Sequence, residues 1–288
     1  MMKPLLDVED LRVRFHLRTG IVEAVRGVSF QLGRERLGIV GESGSGKSQT
    51  GRAILGLTPP PGEVTAKRLA FDGIDLTTAS KRTLRTLRGG RISMVMQDPK
   101  YSLNPVMTIG EQIIEAYQAH AKASRNEARD KALAMLEAVK MRDPQRVFAL
   151  YPHEVSGGMG QRAMIAMMLV TDPDLLIADE PTSALDVTVS MEVLRILDEL
   201  VTERGMGLIF ISHDLKLVSS FCDRVLVMYA GQIVEVCDTG KLHEARHPYT
   251  RGLLAALPEL GHRRAELPQL RRDPDWLIDL PAAIGAAA

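Results

Sequence analysis

Residues 37–55, LGIVGESGSGKSQTGRAIL, constrain the chain more than any other stretch. Leu37, Ile39 and Val40 suit the end of a buried strand, Gly41, Gly44 and Gly46 a tight loop, and Ala53, Ile54 and Leu55 the packed side of a helix. Gly41, Gly46, Lys47 and Ser48 match G-x-x-x-x-G-K-[ST], a pattern that cradles phosphates when strand, loop and helix follow one another. The glycines let backbone N–H groups approach phosphate oxygens, and the helix adds a positive N-terminus. Lys47 is expected to reach the β- and γ-phosphates of a nucleotide, and Ser48 to place its hydroxyl on Mg²⁺. A glycine-rich turn without a ligand is the plainer alternative. The coincidence of strand, loop, Lys-Ser pair and helix argues against it.

The 36 Lys and Arg balance 36 Asp and Glu, so no basic footprint marks a nucleic-acid surface. The two cysteines, Cys222 and Cys237, make neither a disulfide framework nor a cysteine-rich metal site, and read as small buried hydrophobes. Asp7, Glu9 and Asp10 come too early for a signal-peptide core, and the longest apolar run, residues 163–170, is too short to span a bilayer. A membrane role is expected to come through a partner.

Leu11, Val13 and Phe15, and then Val28, Phe30 and Leu32, alternate with polar residues around a turn at Arg18-Thr19-Gly20. Residues 69–76 form a strand pair around Asp72-Gly73. These pieces predict a small antiparallel sheet beside the phosphate loop. Phe15 is expected either to stack on an adenine ring or to join the core. Ser80 caps a short helix that stops at Gly89-Gly90, and residues 92–96 make a buried strand ending at Gln97. Residues 98–158 then predict a helical insertion. It holds a helix at 111–120 and a second, opened by the Ser124/Glu127 capping box, with Ala132, Leu133, Leu136 and Val139 on one face. Strands are expected at 175–178 and 208–211, a helix at 187–201, a hairpin around Ala230-Gly231, a helical segment at 241–260 and a loosely ordered tail at 261–288.

Further candidates fall at strand and helix ends. Asp179 follows four apolar residues, and its carboxylate can hold Mg²⁺ through water; Glu180 beside it can accept a proton from an attacking water. Standing alone, the pair would read as a solvated strand cap. Ser156, Gly157 and Gly158 precede a helix at 163–170 and form a second anion site, one more than a single nucleotide needs. That predicts a nucleotide held by another copy or a related subunit. His213 can hydrogen-bond the γ-phosphate or be structural; Gln97 can orient water or ligate Mg²⁺.

Together these stretches resemble the ATP-binding-cassette family over about residues 5–240: GESGSGKS as Walker A, Gln97 as Q-loop, VSGGMGQR as signature, LLIADE as Walker B, Ser183-Ala184-Leu185-Asp186 as D-loop and His213 as switch histidine. The signature has Val155 and Met159 where LSGGQ is common, with Ser156, Gly157 and Gly158 intact. The resemblance implies an α/β P-loop NTPase core with a small antiparallel β-subdomain and a helical subdomain insertion. Residues 1–97 and 159–240 would form the ATP-binding core, 98–158 the helical subdomain and 241–288 a C-terminal extension. ATP would lie on Gly41, Glu42, Ser43, Gly44, Ser45, Gly46, Lys47, Ser48 and Gln49, with Phe15 at the adenine. Ser156, Gly157, Gly158 and Asp186 would close over the partner's nucleotide. Ser48, Gln97 and Asp179 would serve Mg²⁺, and Glu180, His213 and Gln97 the chemistry.

QDPKYSLNPVMTIGEQI, SGGMGQR and HPYTRGLLAALP are similar to the ATPase subunits of bacterial peptide/nickel-type importers, the oligopeptide and dipeptide permeases. This implies a peripheral subunit on the cytoplasmic face of the inner membrane, pairing with a second ATPase subunit, identical or related. Its partners would be two membrane permeases and, indirectly, an extracytoplasmic solute-binding protein, with no nucleic acid. The permease coupling helix would dock near Gln97 and residues 101–105. The solute stays open among peptides, nickel, glutathione and opine-like compounds. Relatives often carry a cysteine-bearing tail suited to an iron–sulfur cluster; no cysteine follows Cys237, and no cluster is expected. A DNA-repair or chromosome-structuring ATPase would need a coiled-coil or DNA-binding insertion, and a P-loop kinase would have no use for the second anion loop.

Overall fold

The computed structural model describes residues 3–97, 102–183, 185–256 and 276. The chain divides into two compact units, Met1–Ala79 with Ile209–Ala288, and Ser80–Leu208.

In the first unit, β1 (Leu6–Leu17) and β2 (Gly20–Leu32) form a long antiparallel hairpin that buries Leu6, Leu11, Val13, Val25, Phe30 and Leu32 along one face. Their ladder slips between Val13↔Val25 and Arg14↔Glu23, so Ala24 is the extra residue of a β-bulge. β1 carries two further antiparallel partners, β4 (Gly62–Thr65) toward its end and β5 (Arg68–Phe71) toward its start, and β6 (Ile74–Asp75) follows β5 across the Asp72-Gly73 turn. The strand β4 adds to the sheet expected from sequence. Its four residues, GEVT, are too few to establish a period.

The phosphate loop leaves a different sheet of this unit. β3 (Arg36–Val40) pairs in parallel with β10 (Arg224–Tyr229), which pairs antiparallel with β11 (Gln232–Asp238); β9 (Gly207–Ser212) neighbours β3 on its other side. Leu37, Ile39 and Val40 are fully buried, as a parallel strand covered on both faces requires. The helix α1 (Lys47–Ile54) follows the loop and packs on β1 and β2. After β11 the chain forms a 3₁₀ turn, Thr239–Glu244, and then a separate helix of this unit, Pro248–Ala255. The single helical segment expected at 241–260 is therefore two pieces, because Pro248 starts a helix and cannot continue one. The expected loose tail lies outside the described residues except for Trp276.

The second unit begins with α2 (Lys81–Leu87), whose N-cap Ser80 accepts from the Thr83 N–H. Its strands β7 (Ile92–Val95) and β8 (Leu175–Asp179) pair in parallel, Val95 opposite Ala178. Between them lie α3 (Ile109–Gln118), α4 (Arg125–Ala138) and α5 (Pro144–Ala149). Both α3 and α4 open with complete capping boxes, Thr108/Glu111 and Ser124/Glu127. The buried face of α4 is Ala128, Ala132, Met135 and Leu136; Leu133 is only half-buried, one position around from that stripe. Buried Gln112 fixes the turn before α3, donating to the Asn104 and Met107 carbonyls and accepting from the Asn104 N–H. Leu103 in that turn is buried too, which makes it a packing residue rather than a free contact surface.

The helix expected at 163–170 starts six residues earlier, as α6 (Gly157–Leu169) with Ser156 as its N-cap. Two successive glycines read as loop, yet the Ser156 oxygen accepting from the Met159 N–H is an ordinary helix start. α7 (Val187–Arg204) buries the expected stripe, Val193, Leu194, Leu197, Leu200 and Val201, together with Ile196. Among the described residues no helix is long and apolar enough to cross a membrane.

Candidate nucleotide site

The loop of the first unit is built by close approach. A Cβ on Gly41 would lie 2.1 Å from the Met228 carbonyl oxygen, and one on Gly46 2.4 Å from the carbonyl of the bulge residue Ala24. Gly46 also has φ 98°, in the left-handed region that favours glycine. The Gly231 N–H donates to the Ser45 carbonyl at 3.0 Å, tying the loop to the β10–β11 turn. Lys47 is 5% exposed. Its ammonium donates to the carbonyls of Gly41 at 2.7 Å and Glu42 at 2.9 Å, so the side chain arches back over the loop that precedes it. Ser43 and Gly44 are exposed at the tip, and Ser48 and Gln49 are half-buried in the first turn of α1.

Two polar atoms here, Ser45 Oγ and Gln49 Oε1, are buried without a hydrogen-bond partner. Such atoms are uncommon in a folded chain and mark a place built for more than packing. A glycine cradle that side chains would fill, a buried ammonium and a helix N-terminus fit a run of phosphate groups. The Ser48 hydroxyl, Gln97 amide and Asp179 carboxylate are hard oxygen donors of the kind Mg²⁺ takes. Among the described residues no group of three or more His, Cys, Asp or Glu is placed to hold a metal.

His213 follows β9 and is exposed. The turn beneath it is pinned on both sides: the Asp214 N–H donates to Ser212 Oγ, and Asp214 caps helix α8 (Leu215–Phe221) by accepting from the Leu217 N–H. Phe15 sits on β1 opposite Val22 and Gly62, half-buried where Leu11 and Val13 are fully buried. Its ring edge lies against the Gly62 backbone, since a Cβ there would come 2.9 Å from Phe15 Cε1.

In the second unit, the register Val95↔Ala178 brings the C-terminal ends of two parallel strands side by side, so Gln97 and the Asp179-Glu180 pair leave the sheet along one edge. Gln97 is exposed and Asp179 buried. Glu180 has φ 48°, and the Ser183 N–H and Oγ donate to its carbonyl at 3.3 and 3.2 Å. A non-glycine residue held there costs about 1–2 kcal/mol, and such residues cluster at functional sites. Ser156 and Gly157 are exposed at the start of α6. Gly158 is needed for packing, because a Cβ would lie 2.5 Å from Val189 Cγ1 of α7, whereas Gly157 has room. Asp186 is the N-cap of α7 and accepts from the Val189 N–H at 3.0 Å.

One residue near the loop was not singled out by sequence. The first-unit helix Pro248–Ala255, α9, carries Tyr249, which is fully buried, and the Glu42 N–H of the phosphate loop donates to its hydroxyl at 2.9 Å. Tyr229 and Trp276 pack around the Tyr249 ring, with centroids at 4.6 and 6.0 Å. The available signal was His247-Pro248-Tyr249, an N-cap and an N1 proline placing a tyrosine in a first helical turn.

A family profile described as ABC transporter matches residues 25–183. The probable peptide ABC transporter ATP-binding protein y4tR of Sinorhizobium fredii is 48% identical over 92% of this chain and 81% of its own length. The dipeptide transport ATP-binding protein DppD of Bacillus subtilis is 44% identical over 100% of this chain and 87% of its own. Among solved structures, a dimeric post-hydrolysis state of the ATP-binding cassette MJ0796, bound to ADP and Pi, superposes with a TM-score of 0.70 at 26% identity, covering 81% of this chain and 98% of that one. With the fold, the phosphate loop and these relatives in agreement, the chain belongs to the ABC transporter family as one of its ATP-binding proteins.

Proposed function

We propose that this chain is the ATP-binding subunit of a bacterial importer, hydrolysing ATP to drive uptake of peptides or a related small solute. The observation that carries the reading is the phosphate loop closed by Lys47, in a chain whose relatives at 44–48% identity are named peptide and dipeptide transport ATP-binding proteins. The neutral charge balance and the absence of a basic footprint favour no DNA-acting alternative.

In this reading Lys47 binds the β- and γ-phosphates, the amides and small side chains of residues 41–49 cradle them, and Phe15, with one ring edge on Gly62, offers its free side to the adenine. Ser48, Gln97 and Asp179 would hold Mg²⁺, which when bound would supply charge neutralisation for the transferred phosphoryl group. Glu180 orients the attacking water and takes its proton, and His213 hydrogen-bonds the γ-phosphate. Ser156 and Gly157, exposed at a helix start, and the half-buried Gly158 face the nucleotide of a second ATPase subunit, with Asp186 beside that interface. Residues 98–158 act as the helical subdomain between core segments 1–97 and 159–240, and 241–288 as an extension of the core. Two permeases in the membrane would receive the closing motion at the cytoplasmic face, fed from outside by a solute-binding protein.

Glu180→Gln tests the arrangement. The amide keeps the size of the side chain but is a poor base, so turnover should fall about 10²–10⁴-fold while ATP binding persists. ATP-dependent association, followed by light scattering or cross-linking with the natural partner ATPase present, should then accumulate. Adding Ser156→Asp preserves the helix cap, since Asp is a good N-cap, but sets a carboxylate against the opposite phosphates. Undiminished association in that double variant, or wild-type turnover by Glu180→Gln, would sink the paired-site reading.

A further inference from the structure

We infer that Tyr249 is a positioning residue for the phosphate loop, holding the Gly41–Glu42 peptide in the orientation that nucleotide binding uses. The inference rests on reading residues 41–49 as an ATP site. One peptide group is gripped at both ends. Its carbonyl, from Gly41, accepts from Lys47 Nζ at 2.7 Å, and its N–H, on Glu42, donates to the Tyr249 hydroxyl at 2.9 Å. A peptide unit is planar and rigid, so contacts on opposite edges fix its rotation about the chain. The tyrosine lies 207 positions further along the sequence, so the contact is not a local product of the loop's glycines.

The Tyr249 hydroxyl has little freedom to be elsewhere. The residue is fully buried, its ring lies against Tyr229 and Trp276, and its own N–H donates to His247 Nδ1 at 3.2 Å. Trp276 meets the edges of both Tyr229 and His247, so a residue of the far C-terminal segment belongs to the same cluster. α9 and that tryptophan thus back the tyrosine that holds the phosphate loop.

The two grips respond differently to nucleotide. A Lys47 ammonium engaged with phosphates is drawn away from the Gly41 and Glu42 carbonyls. Tyr249 then carries a larger share of the restraint on the peptide between them. Loss of its hydroxyl is felt more with nucleotide bound than without, and registers as lost affinity.

Tyr249→Phe removes one oxygen and keeps the ring. Titration of the full chain with MgADP should show binding weakened about fivefold to thirtyfold, the range expected for one buried hydrogen bond. The nucleotide-induced rise in melting temperature should shrink with it. A purely structural tyrosine would lower the nucleotide-free melting temperature and leave the affinity of the folded protein unchanged; an affinity within about twofold of wild type overturns the inference. Should the variant fail to fold, hydrogen exchange of the Glu42 amide in ¹⁵N-glutamate-labelled wild type decides: protection supports the contact, and exchange at the rate of a free loop amide overturns it. Wild type that fails to bind MgADP overturns the ATP-site reading itself, whereas wild-type binding beside an unimpaired Phe variant overturns this inference alone.

Discussion

Alanine at Gly46 and alanine at Gly44 separate two costs that sequence motifs leave merged. Both glycines have left-handed backbones, φ 98° and 83°. A Cβ at either adds about 1–2 kcal/mol of conformational strain. The surroundings differ. At Gly44 nothing lies within 4 Å of the added carbon, whereas at Gly46 it would stand 2.4 Å from the Ala24 carbonyl oxygen. That oxygen belongs to a bulge locked into the β1–β2 ladder and cannot swing aside as a side-chain tip would. Ordinary contact needs about 1 Å more, so the loop itself must shift, and one charge-assisted hydrogen bond to phosphate lost in that shift costs about 1.5–3 kcal/mol, roughly 10- to 150-fold in affinity. Strain alone is present with and without nucleotide and largely cancels in affinity. Gly44→Ala should therefore lower the melting temperature by about 2–4 °C and hold MgADP affinity within about threefold. Gly46→Ala should lose at least as much stability and bind roughly 10- to 150-fold more weakly. Differential scanning fluorimetry without nucleotide, paired with calorimetric titration, reads both quantities. Equal losses of affinity in the two variants, or tight binding by Gly46→Ala, would refute the argument from the bulge carbonyl.

Lys47→Ala should weaken nucleotide binding by about 1.5–3 kcal/mol, as for hydrogen bonds to a charged group, and stop hydrolysis. Because the ammonium also holds the Gly41 and Glu42 carbonyls, the nucleotide-free variant should melt earlier than wild type, and an unchanged melting curve would show that this grip contributes nothing. Burial, reinforced by Asp223, pushes the Cys222 thiol up to about 12, and burial with Glu235 and Asp238 nearby pushes Cys237 up to about 11. At pH 8 about one Cys237 in a thousand is then thiolate, so iodoacetamide should label the native protein far more slowly than the urea-unfolded chain, with the rate rising about tenfold per pH unit up to pH 10. Rapid stoichiometric labelling at pH 8 would contradict the burial.

Local rules made much of this chain legible. The Ser124/Glu127 box, the Asp72-Gly73 and Ala230-Gly231 turns and the strand–loop–helix at Lys47 each depend on neighbours a few positions apart, and each forms as its residues dictate. Long-range or short-lived signals were harder. The four residues of β4 are recruited by the edge of β1, which no periodicity within them announces. Gly157 and Gly158 look like loop because their own propensity is poor, while Gly158 is demanded by Val189 on another helix. Of the stripe expected on α4, Ala132, Leu136 and Val139 are buried and Leu133 alone is half-buried, while Met135, flexible and unbranched, joins the buried face. The contact from Tyr249 to Glu42 is invisible to any pattern of spacing, since it depends on where the last helix packs.

The chain has a single tryptophan, and it stands within 5.6 Å of the Tyr229 ring and 6.0 Å of Tyr249. Light absorbed by those two tyrosines is therefore passed to one indole, whose emission colour follows the polarity around it. With no other indole in the chain to dilute the signal, the packing of Trp276 against the two tyrosines is written in the ultraviolet spectrum. Excited through those tyrosines the protein should emit as a tryptophan, and a Trp276→Leu variant should regain their emission.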